Sequence, residues 1–457
     1  MDKEFVISYL KTRNYWWQTR EVSPADKGIV RHEYLDKIRA IEKLERIVCL
    51  SGIRRSGKTT ILYQYIDHLL KNVDTEPQKV VYVKVDDLLG KIDSIHDVLN
   101  IYHELTGINP VEENVCILLD EIHVQKEWQR QLKYYLDAHA KCRFVVSGSS
   151  KTLLYKDASE SLAGRIRFID VFPLTFKEFL LFNGITLPEE TTPVGIDNFK
   201  QIERAYFAVI AQKEQLLYLL NQYFDTGGYP EWFKIKDMGQ WRRVLVDDYF
   251  SLILFRDIVS VFRVKDPLLL EKLVRDIAVF STNRFSYRGL SERLGVDRET
   301  LKLYLYYLRS SMLISIADVY TYAKKAVEKR EKKLFFCEEG LRRALTLDRD
   351  EGKSAENVVA WHLTKRGYCS KVFFVPYYWK NKYEVDFIYD DSVLVLPVEV
   401  KYREHPVAAD TRGLIEFMHA FNVNLGIIVT KDVLKLDIIA AGKEIIFIPL
   451  WLFLLLL

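Results

Sequence analysis

The most definite chemistry in this 457-residue chain lies in Gly52-Ile53-Arg54-Arg55-Ser56-Gly57-Lys58-Thr59. Glycines at both ends can take positive φ, so that successive backbone N–H groups turn inward around a phosphate. Lys58 brings a point charge for β and γ phosphates, Thr59 brings a hydroxyl for Mg²⁺, and Arg54, Arg55, Ser56 and Thr60 complete the lining. The flanks supply the context this pattern needs: Ile47-Val48-Cys49-Leu50 reads as a strand, and the residues from Thr60 to Ile66 have helical spacing, with the helix's positive end aimed at the anion. A plain Gly-containing turn would explain the two glycines but not the flanking strand and helix.

A second constellation follows. The apolar run Val115 to Leu119 ends in Asp120-Glu121, at the carboxyl end of a strand, where open α/β sheets bind ligands. Asp120 is placed to hold Mg²⁺ through water and Glu121 to polarise an attacking water; a helix cap is the structural alternative. Ser147-Gly148-Ser149-Ser150 falls at the same edge, where Ser149 suits a sensor of the γ-phosphate or the lytic water, and where an ST-turn is the competing reading. Arg165, in Leu162-Ala163-Gly164-Arg165-Ile166-Arg167, is a candidate arginine finger for its own or a neighbour's nucleotide, against a surface ion pair; Arg256 is its rival.

These groups have to be positioned by a sheet. From Arg46 onward apolar strands (Val80 to Val85, Val115 to Leu119, Phe144 to Val146) alternate with helical stretches, the pattern of an α/β parallel sheet with crossover helices. The charged and aromatic residues 1–45 form an N-terminal extension in which Tyr15-Trp16-Trp17 and Arg20 act as an apolar anchor or as a clasp on the nucleotide domain. Residues 46–184 are the P-loop core, 185–280 a helical lid region containing Asp225-Thr226-Gly227-Gly228-Tyr229-Pro230, and 281–330 a winged helix-turn-helix. In the last, Leu290 and Leu294 close one helix, Gly295 breaks it, and Asp297 caps the next, with Leu301, Leu305 and Leu308 inward and Arg298, Lys302 and Arg309 free for phosphates. The same module also serves elsewhere as a protein–protein spacer.

Residues 331–457 hold a second possible site. Glu399 and Lys401 are two apart on one predicted strand and so share a face, and Asp386 lies on its hairpin neighbour. Glu356, on a preceding helix, can reach the same spot. Two carboxylates that bind Mg²⁺ beside a lysine that orients water make the D…ExK arrangement of metal-dependent nucleases. A cross-strand ion pair is the simpler reading of Glu-x-Lys.

Taken together, GIRRSGKTT, ILLDEIH, VVSGSS, LAGRIRFIDVFPLTFKEFL and Gly227-Gly228-Tyr229-Pro230-Glu231 resemble the prokaryotic AAA-type ATPases, abundant in archaea, that carry a C-terminal domain of restriction-endonuclease fold. The similarity extends from about Lys43 onward. It implies an α/β architecture: a P-loop AAA-type parallel sheet, then a helical and winged-helix domain, then a C-terminal α/β restriction-endonuclease-like domain. It assigns Lys58, Thr59, Asp120 and Glu121 to the nucleotide site and aligns Arg165 with a GR motif. Glu384-Val385-Asp386 lacks the proline usual before such an aspartate, which leaves activity at the second site open.

Composition sets outer bounds. Hydrophobic residues make up 49% and charged residues 28%, with a formal net charge of +3, which neither announces nor excludes a nucleic-acid partner. Five cysteines without a CxxC pair and an N-terminus without signal-peptide design predict a reducing, cytoplasmic setting. The apolar run Ile445 to Leu457 is too short to cross a bilayer as a helix and predicts a buried strand with a short docking helix, a membrane or subunit contact being the alternative. The expected function is a Mg²⁺-dependent ATPase with ATP as its nucleotide, acting on DNA, with forked or single-stranded DNA favoured, as a homo-oligomer for which a ring is one arrangement. The alternatives are a slow nucleotide switch that gates the C-terminal module in defence or regulation, and an ATP-regulated nuclease.

Overall fold

The computed structural model describes residues 2–72, 74–149, 154, 161–191, 195–321, 330–346, 348–368, 374–439 and 442–457. Ser150 and Cys369 lie outside the described residues. The chain divides into two compact units, Met1–Phe172 and Pro173–Leu457.

The first unit opens with α1 (Lys3–Arg13), a one-turn helix Trp16–Thr19 and α2 (His32–Glu42). It continues β1 (Ile47–Ser51), α3 (Lys58–Leu70), β2 (Val80–Lys84), α4 (Ile95–Thr106), β3 (Cys116–Asp120), α5 (Trp128–Asp137), β4 (Arg143–Gly148) and β5 (Ile166–Asp170). The five strands lie in the order β2-β3-β4-β1-β5, and every pairing is parallel. Side chains alternate between the faces of a strand, and both faces are buried here. Ile47, Cys49, Val81, Val83, Ile117, Leu119 and Val146 pack against Val6, Leu10, Val98, Tyr102 and Leu132 of α1, α4 and α5. Val48, Leu50, Tyr82, Cys116, Leu118 and Val145 pack against Tyr34, Ile38, Ile61, Leu62 and Ile66 of α2 and α3. Apolar residues on both sides of the strands make this possible, as parallel sheets covered on two faces require.

Among the described residues no sixth strand lies beside the outer edge of β2. An unpaired strand edge presents bare N–H and C=O groups, and here side chains take their place. Trp16 and Trp17 each donate an indole N–H to the Val80 carbonyl at 3.0 Å. Asn14 donates to the Tyr82 carbonyl at 3.0 Å and accepts from the Tyr82 amide at 2.6 Å. The Tyr9 hydroxyl accepts from the Lys84 amide at 2.8 Å and donates to its carbonyl at 3.2 Å. The N-terminal aromatic run is thus an anchor, and its polar atoms seal the sheet.

The second unit begins with helices: α6 (Phe176–Phe182), α7 (Phe199–Val209), α8 (Lys213–Thr226) and α9 (Pro267–Phe280). Between α8 and α9 the wider i→i+5 turn runs over Val244–Phe250 and Leu252–Val259, a rare form of helix. Next come β6 (Arg284–Phe285), α10 (Tyr287–Leu294), α11 (Arg298–Ser310), β7 (Ile314–Ala317) and β8 (Lys332–Phe336), the strands forming an antiparallel sheet in the order β6-β8-β7. The turn chemistry is as the sequence predicts: Gly295 ends α10 at φ 68°, and Asp297 caps α11 by accepting from the Thr300 amide at 2.9 Å. Leu290, Leu294, Leu301, Leu305 and Leu308 are all buried. Because β8 pairs with both β6 and β7, this sheet reaches past the expected boundary at residue 330.

The remainder is α12 (Glu339–Leu345), α13 (Glu351–Tyr368), β9 (Tyr377–Lys380), β10 (Glu384–Asp390), β11 (Val395–Lys401), α14 (Arg412–Ala420), β12 (Leu425–Thr430), β13 (Lys435–Ile439), β14 (Lys443–Pro449) and α15 (Leu450–Leu456). The strands build a mixed six-stranded sheet in the order β13-β14-β12-β11-β10-β9. All of α15 is buried, so the apolar run forms a strand and a docked helix, each fully buried leucine contributing roughly 1.5–3 kcal/mol. Among the described residues no helix is long and apolar enough to cross a membrane.

The Gly-Gly-Tyr-Pro turn after α8 is a point of close backbone approach. Leu174 donates to the Gly228 carbonyl at 2.6 Å, and Gly228 donates to Oε1 of Glu338 at 2.7 Å. A β-carbon on Gly228 would stand 2.3 Å from the Leu174 carbonyl oxygen. Its glycines answer to packing within this unit.

Candidate functional site

The loop after β1 arrives at the carboxyl edge of the parallel sheet, and its backbone explains its composition. Gly57 takes φ 97° and Arg55 φ 63°, two left-handed positions on either side of Ser56 of the kind that turn N–H groups toward one side. Gly52, at φ 148°, has a different reason to be glycine: a β-carbon there would lie 2.1 Å from the Val171 carbonyl oxygen. The Lys58 ammonium donates to the carbonyls of Gly52 and Ile53 at 3.0 and 2.9 Å, inside the loop it is expected to serve. Arg54, Arg55, Thr59 and Thr60 are half-buried, and Ser56 and Lys58 are buried.

Asp120 is the hub. It is fully buried, and Oδ2 accepts from the Thr59 hydroxyl at 2.7 Å and from the Tyr82 hydroxyl at 2.9 Å. Its Oδ1 accepts from the Ser147 hydroxyl, which also receives the Glu121 amide at 3.3 Å. Burial, with the Asp120 charge second, pushes the Tyr82 hydroxyl far above its ordinary pKa, so it remains a donor. Tyr82 is the member of this cluster that the sequence reading did not assign to the site, while Ser147 belongs to the polar run already placed at this edge; they sit on β2 and β4, the two strands next to β3.

Glu121 stands at φ 55°, so the backbone turns sharply straight after Asp120. Its Oε2 lies 3.3 Å from Nδ1 of His123. Ser149 is buried, and its hydroxyl finds no hydrogen-bond partner among the described residues. The Ser56 hydroxyl in the loop is in the same condition. Two buried hydroxyls without a partner in the described chain and a touching Thr59–Asp120 pair fit a bound nucleotide with its magnesium: the hydroxyls can bond to phosphate oxygens, and Thr59 with Asp120 forms an oxygen set of the kind Mg²⁺ takes.

Arg165 departs from expectation. It sits just before β5, where the Ile47 amide donates to its carbonyl at 2.9 Å. Since β5 runs parallel to β1, this is the amino edge of the sheet, opposite the loop. The guanidinium pairs with Asp137. A finger acting on its own chain's nucleotide is not available from there, and within the chain the guanidinium makes an ion pair at the surface. The N-terminal extension supplies an unexpected arginine instead. Arg31, buried and 4.5 Å above the Tyr34 ring, donates to the carbonyls of Ser56 at 3.0 Å and Phe172 at 3.1 Å. It ties the phosphate loop to the segment after β5.

In the second unit the residues of the D…ExK reading do converge. Lys401 donates to Oε1 of Glu399 at 2.5 Å, the Asp386 amide to Oε2 of Glu399 at 3.1 Å, and the Val400 amide to Oδ2 of Asp386 at 3.0 Å. Two residues that the sequence reading missed join them. The Lys333 ammonium from β8 lies 2.8 Å from Oδ1 of Asp386, 2.5 Å from Oε1 of Glu356 and 3.2 Å from Oε1 of Glu384. Burial raises Glu356 to about 7 and Glu399 to about 8. Burial also works against charge on Asp386, but Lys333 and then Lys401 outweigh it and hold that carboxyl below its usual range. The expected metal site at Asp386 and Glu399 therefore does not fit a metal: each carboxylate already carries a lysine, Lys333 on Asp386 and Lys401 on Glu399, and no group of three or more acidic, His or Cys side chains among the described residues is arranged to hold an ion.

On α11, Arg298 and Lys302 line an open cleft of about 770 Å³ with Arg288, Arg330 and Lys332. Every charged side chain lining it among the described residues is basic. Arg309, exposed near the end of α11, does not line it.

A phosphate loop after β1 and paired carboxylates after β3, in the order β2-β3-β4-β1-β5, define a P-loop nucleotide-binding domain of α/β type. Residues 44–180 match the family model described as an AAA domain. Residues 217–352 and 351–453 match two families described only as domains of unknown function. The chain is 26% identical over 427 residues to an uncharacterized protein of Methanocaldococcus jannaschii, covering 89% of this chain and 87% of that one. It is 24% identical over 432 residues to an uncharacterized protein of Haemophilus influenzae, covering 93% and 98%. Among solved structures, the Walker-type ATPase of Pyrococcus abyssi gives a TM-score of 0.40 at 16% identity, covering 69% of this chain and 95% of that one. The Aeropyrum pernix ORC2 protein gives 0.29 at 13% identity, covering 76% and 97%.

Proposed function

We infer that the first unit binds ATP with Mg²⁺ and hydrolyses it, and that the observation carrying this reading is the Thr59–Asp120 contact of 2.7 Å at the carboxyl edge of the sheet. Thr59 and Asp120 would hold the ion, whose contribution when bound is to offset charge on the β and γ phosphates. Lys58 leaves the carbonyls of Gly52 and Ile53 to meet phosphate oxygens, and the loop amides do the rest of the binding. Glu121 takes the proton of the lytic water, and Ser149 positions the γ-phosphate or that water. Lys58→Ala should lose nucleotide binding, measured with a fluorescent ATP analogue. Glu121→Gln should keep binding and lose hydrolysis by roughly 10²-fold or more; near-normal turnover in Glu121→Gln sinks the assignment.

The all-basic cleft of α10, α11 and β8 supports DNA as the partner, with α10 and α11 acting as a winged helix-turn-helix that grips phosphates. An ATPase driven by this partner is stimulated several-fold by forked or single-stranded DNA. The 3.3 Å approach of His123 to Glu121 favours a second reading, a slow switch whose base is held aside; a rate that no DNA changes would support it. Assembly into a homo-oligomer is part of the first reading, with Arg165 supplied to a neighbouring subunit.

A further inference from the structure

We propose that Lys333 is the resident cation of the carboxylate site in the second unit, so that this domain takes no divalent metal and acts without metal-dependent nuclease chemistry. The site has the residues of the D…ExK pattern. What distinguishes it is the strand beneath.

An ammonium group has three N–H donors and no acceptor. The Lys333 ammonium donates to Oδ1 of Asp386 at 2.8 Å and lies at ion-pair distance from Glu356 and Glu384, at 2.5 and 3.2 Å, so three carboxylates surround one cation. The residue is 3% exposed, and its ammonium lies 6.0 and 5.9 Å from the ring centres of Phe335 and Phe387. A buried charge is retained only where partners satisfy it. The carboxylates need Lys333 as much as it needs them, since removing it would leave three neighbouring acids, those of Glu356, Glu384 and Asp386, without the cation they share.

The lysine is also held from behind. It occupies the middle strand of its sheet, paired with Arg284 of β6 and Ala317 of β7. Arg284 itself reaches Oε2 of Glu384 at 3.1 Å. Seating a divalent ion among the same oxygens would place two positive charges in one low-dielectric pocket, or require β8 to draw its side chain away from two neighbouring strands. Lys401, which would orient water in a nuclease, is engaged by Glu399 at 2.5 Å.

The test is Mn²⁺ binding to the full-length, nucleotide-free protein, measured by electron paramagnetic resonance. Wild type and Asp386→Asn should bind Mn²⁺ equally, any phosphate-loop contribution being common to both. Lys333→Met should gain one site with at least tenfold tighter binding, and the double variant Lys333→Met/Asp386→Asn should lose it again. A Mn²⁺ site in the wild type that Asp386→Asn removes would overturn the proposal, as would a folded Lys333→Met protein that gains none. If Lys333→Met does not fold, the comparison of wild type with Asp386→Asn decides on its own.

Discussion

Asn14 pairs with Tyr82 as a neighbouring strand would, donating to its carbonyl at 3.0 Å and accepting from its amide at 2.6 Å. The other end of Tyr82 holds Asp120 at 2.9 Å. One residue thus joins the sealed edge of the sheet to the centre of the candidate site. Asn14→Ala should leave a buried N–H and C=O without partners and cost about 2–4 kcal/mol. Amide exchange at Tyr82 should speed up, and nucleotide affinity should fall although Asn14 is not expected to touch a ligand. Unchanged exchange at β2 would refute the pairing.

Arg165 is paired with Asp137 at the amino edge of its own sheet, so any catalytic role must be played on another subunit. Arg165→Ala and Lys58→Ala should each be inactive alone in ATP hydrolysis, and a mixture should recover part of the activity. Full activity of Arg165→Ala alone would reduce the residue to a surface ion pair, worth about 0–1 kcal/mol.

The Gly-Gly-Tyr-Pro turn makes a steric prediction. A β-carbon at Gly228 meets the Leu174 carbonyl oxygen at 2.3 Å and its nitrogen at 2.9 Å, atoms that cannot swing aside as a side chain could. Gly228→Ala should destabilise the second unit by about 3 kcal/mol. Gly239→Ala, where the nearest atom is the Asp237 carboxylate at 3.5 Å, should be neutral or stabilising. Thermal unfolding of the two variants side by side checks both.

His362 gives a pH dependence. Burial holds it neutral, with its pKa down to about 4; Nε2 accepts from the Phe176 amide at 3.0 Å, while Nδ1, 2.8 Å from the Val358 carbonyl, donates to it. In the unfolded chain the ring titrates near 6.5, so between about pH 6.5 and 4 the unfolded state binds more protons. Its stabilisation is complete above pH 6.5 and falls as pH drops through that window, by about 3 kcal/mol. The difference in melting temperature between wild type and His362→Gln should shrink steadily from pH 7 to pH 4.5; a constant difference would rule out the assignment.

The phosphate loop, the strand carrying Asp120 and the Leu-rich pair α10 and α11 were legible because local chemistry dictates them: glycine where φ is positive, Asp297 where a cap is needed, apolar runs where both faces are covered. The hairpin of β10 and β11 was legible for the same reason. Lys333 was not. It lies in Lys332-Lys333-Leu334-Phe335-Phe336, where every residue is buried, so no period-2 alternation marks which lysine faces inward. Arg31 was missed because its role is set by carbonyls of Ser56 and Phe172, far away in sequence and silent in composition. Which nucleotide Arg165 could reach was not legible for a geometric reason: a residue just before a parallel strand sits at the edge opposite the loop, and only the pairing of β5 with β1 reveals that.

The position of β14 has a consequence for how the second unit comes into being. It lies between β12 and β13, pairing with both, yet leaves the ribosome after both. Until it emerges, β13 has no strand to pair with and β12 exposes one whole side of hydrogen-bonding groups. The sheet therefore closes by insertion of its latest strand, and the step is local: β13 and β14 form a hairpin with only residues 440–442 between them, so it follows quickly once the strand is free.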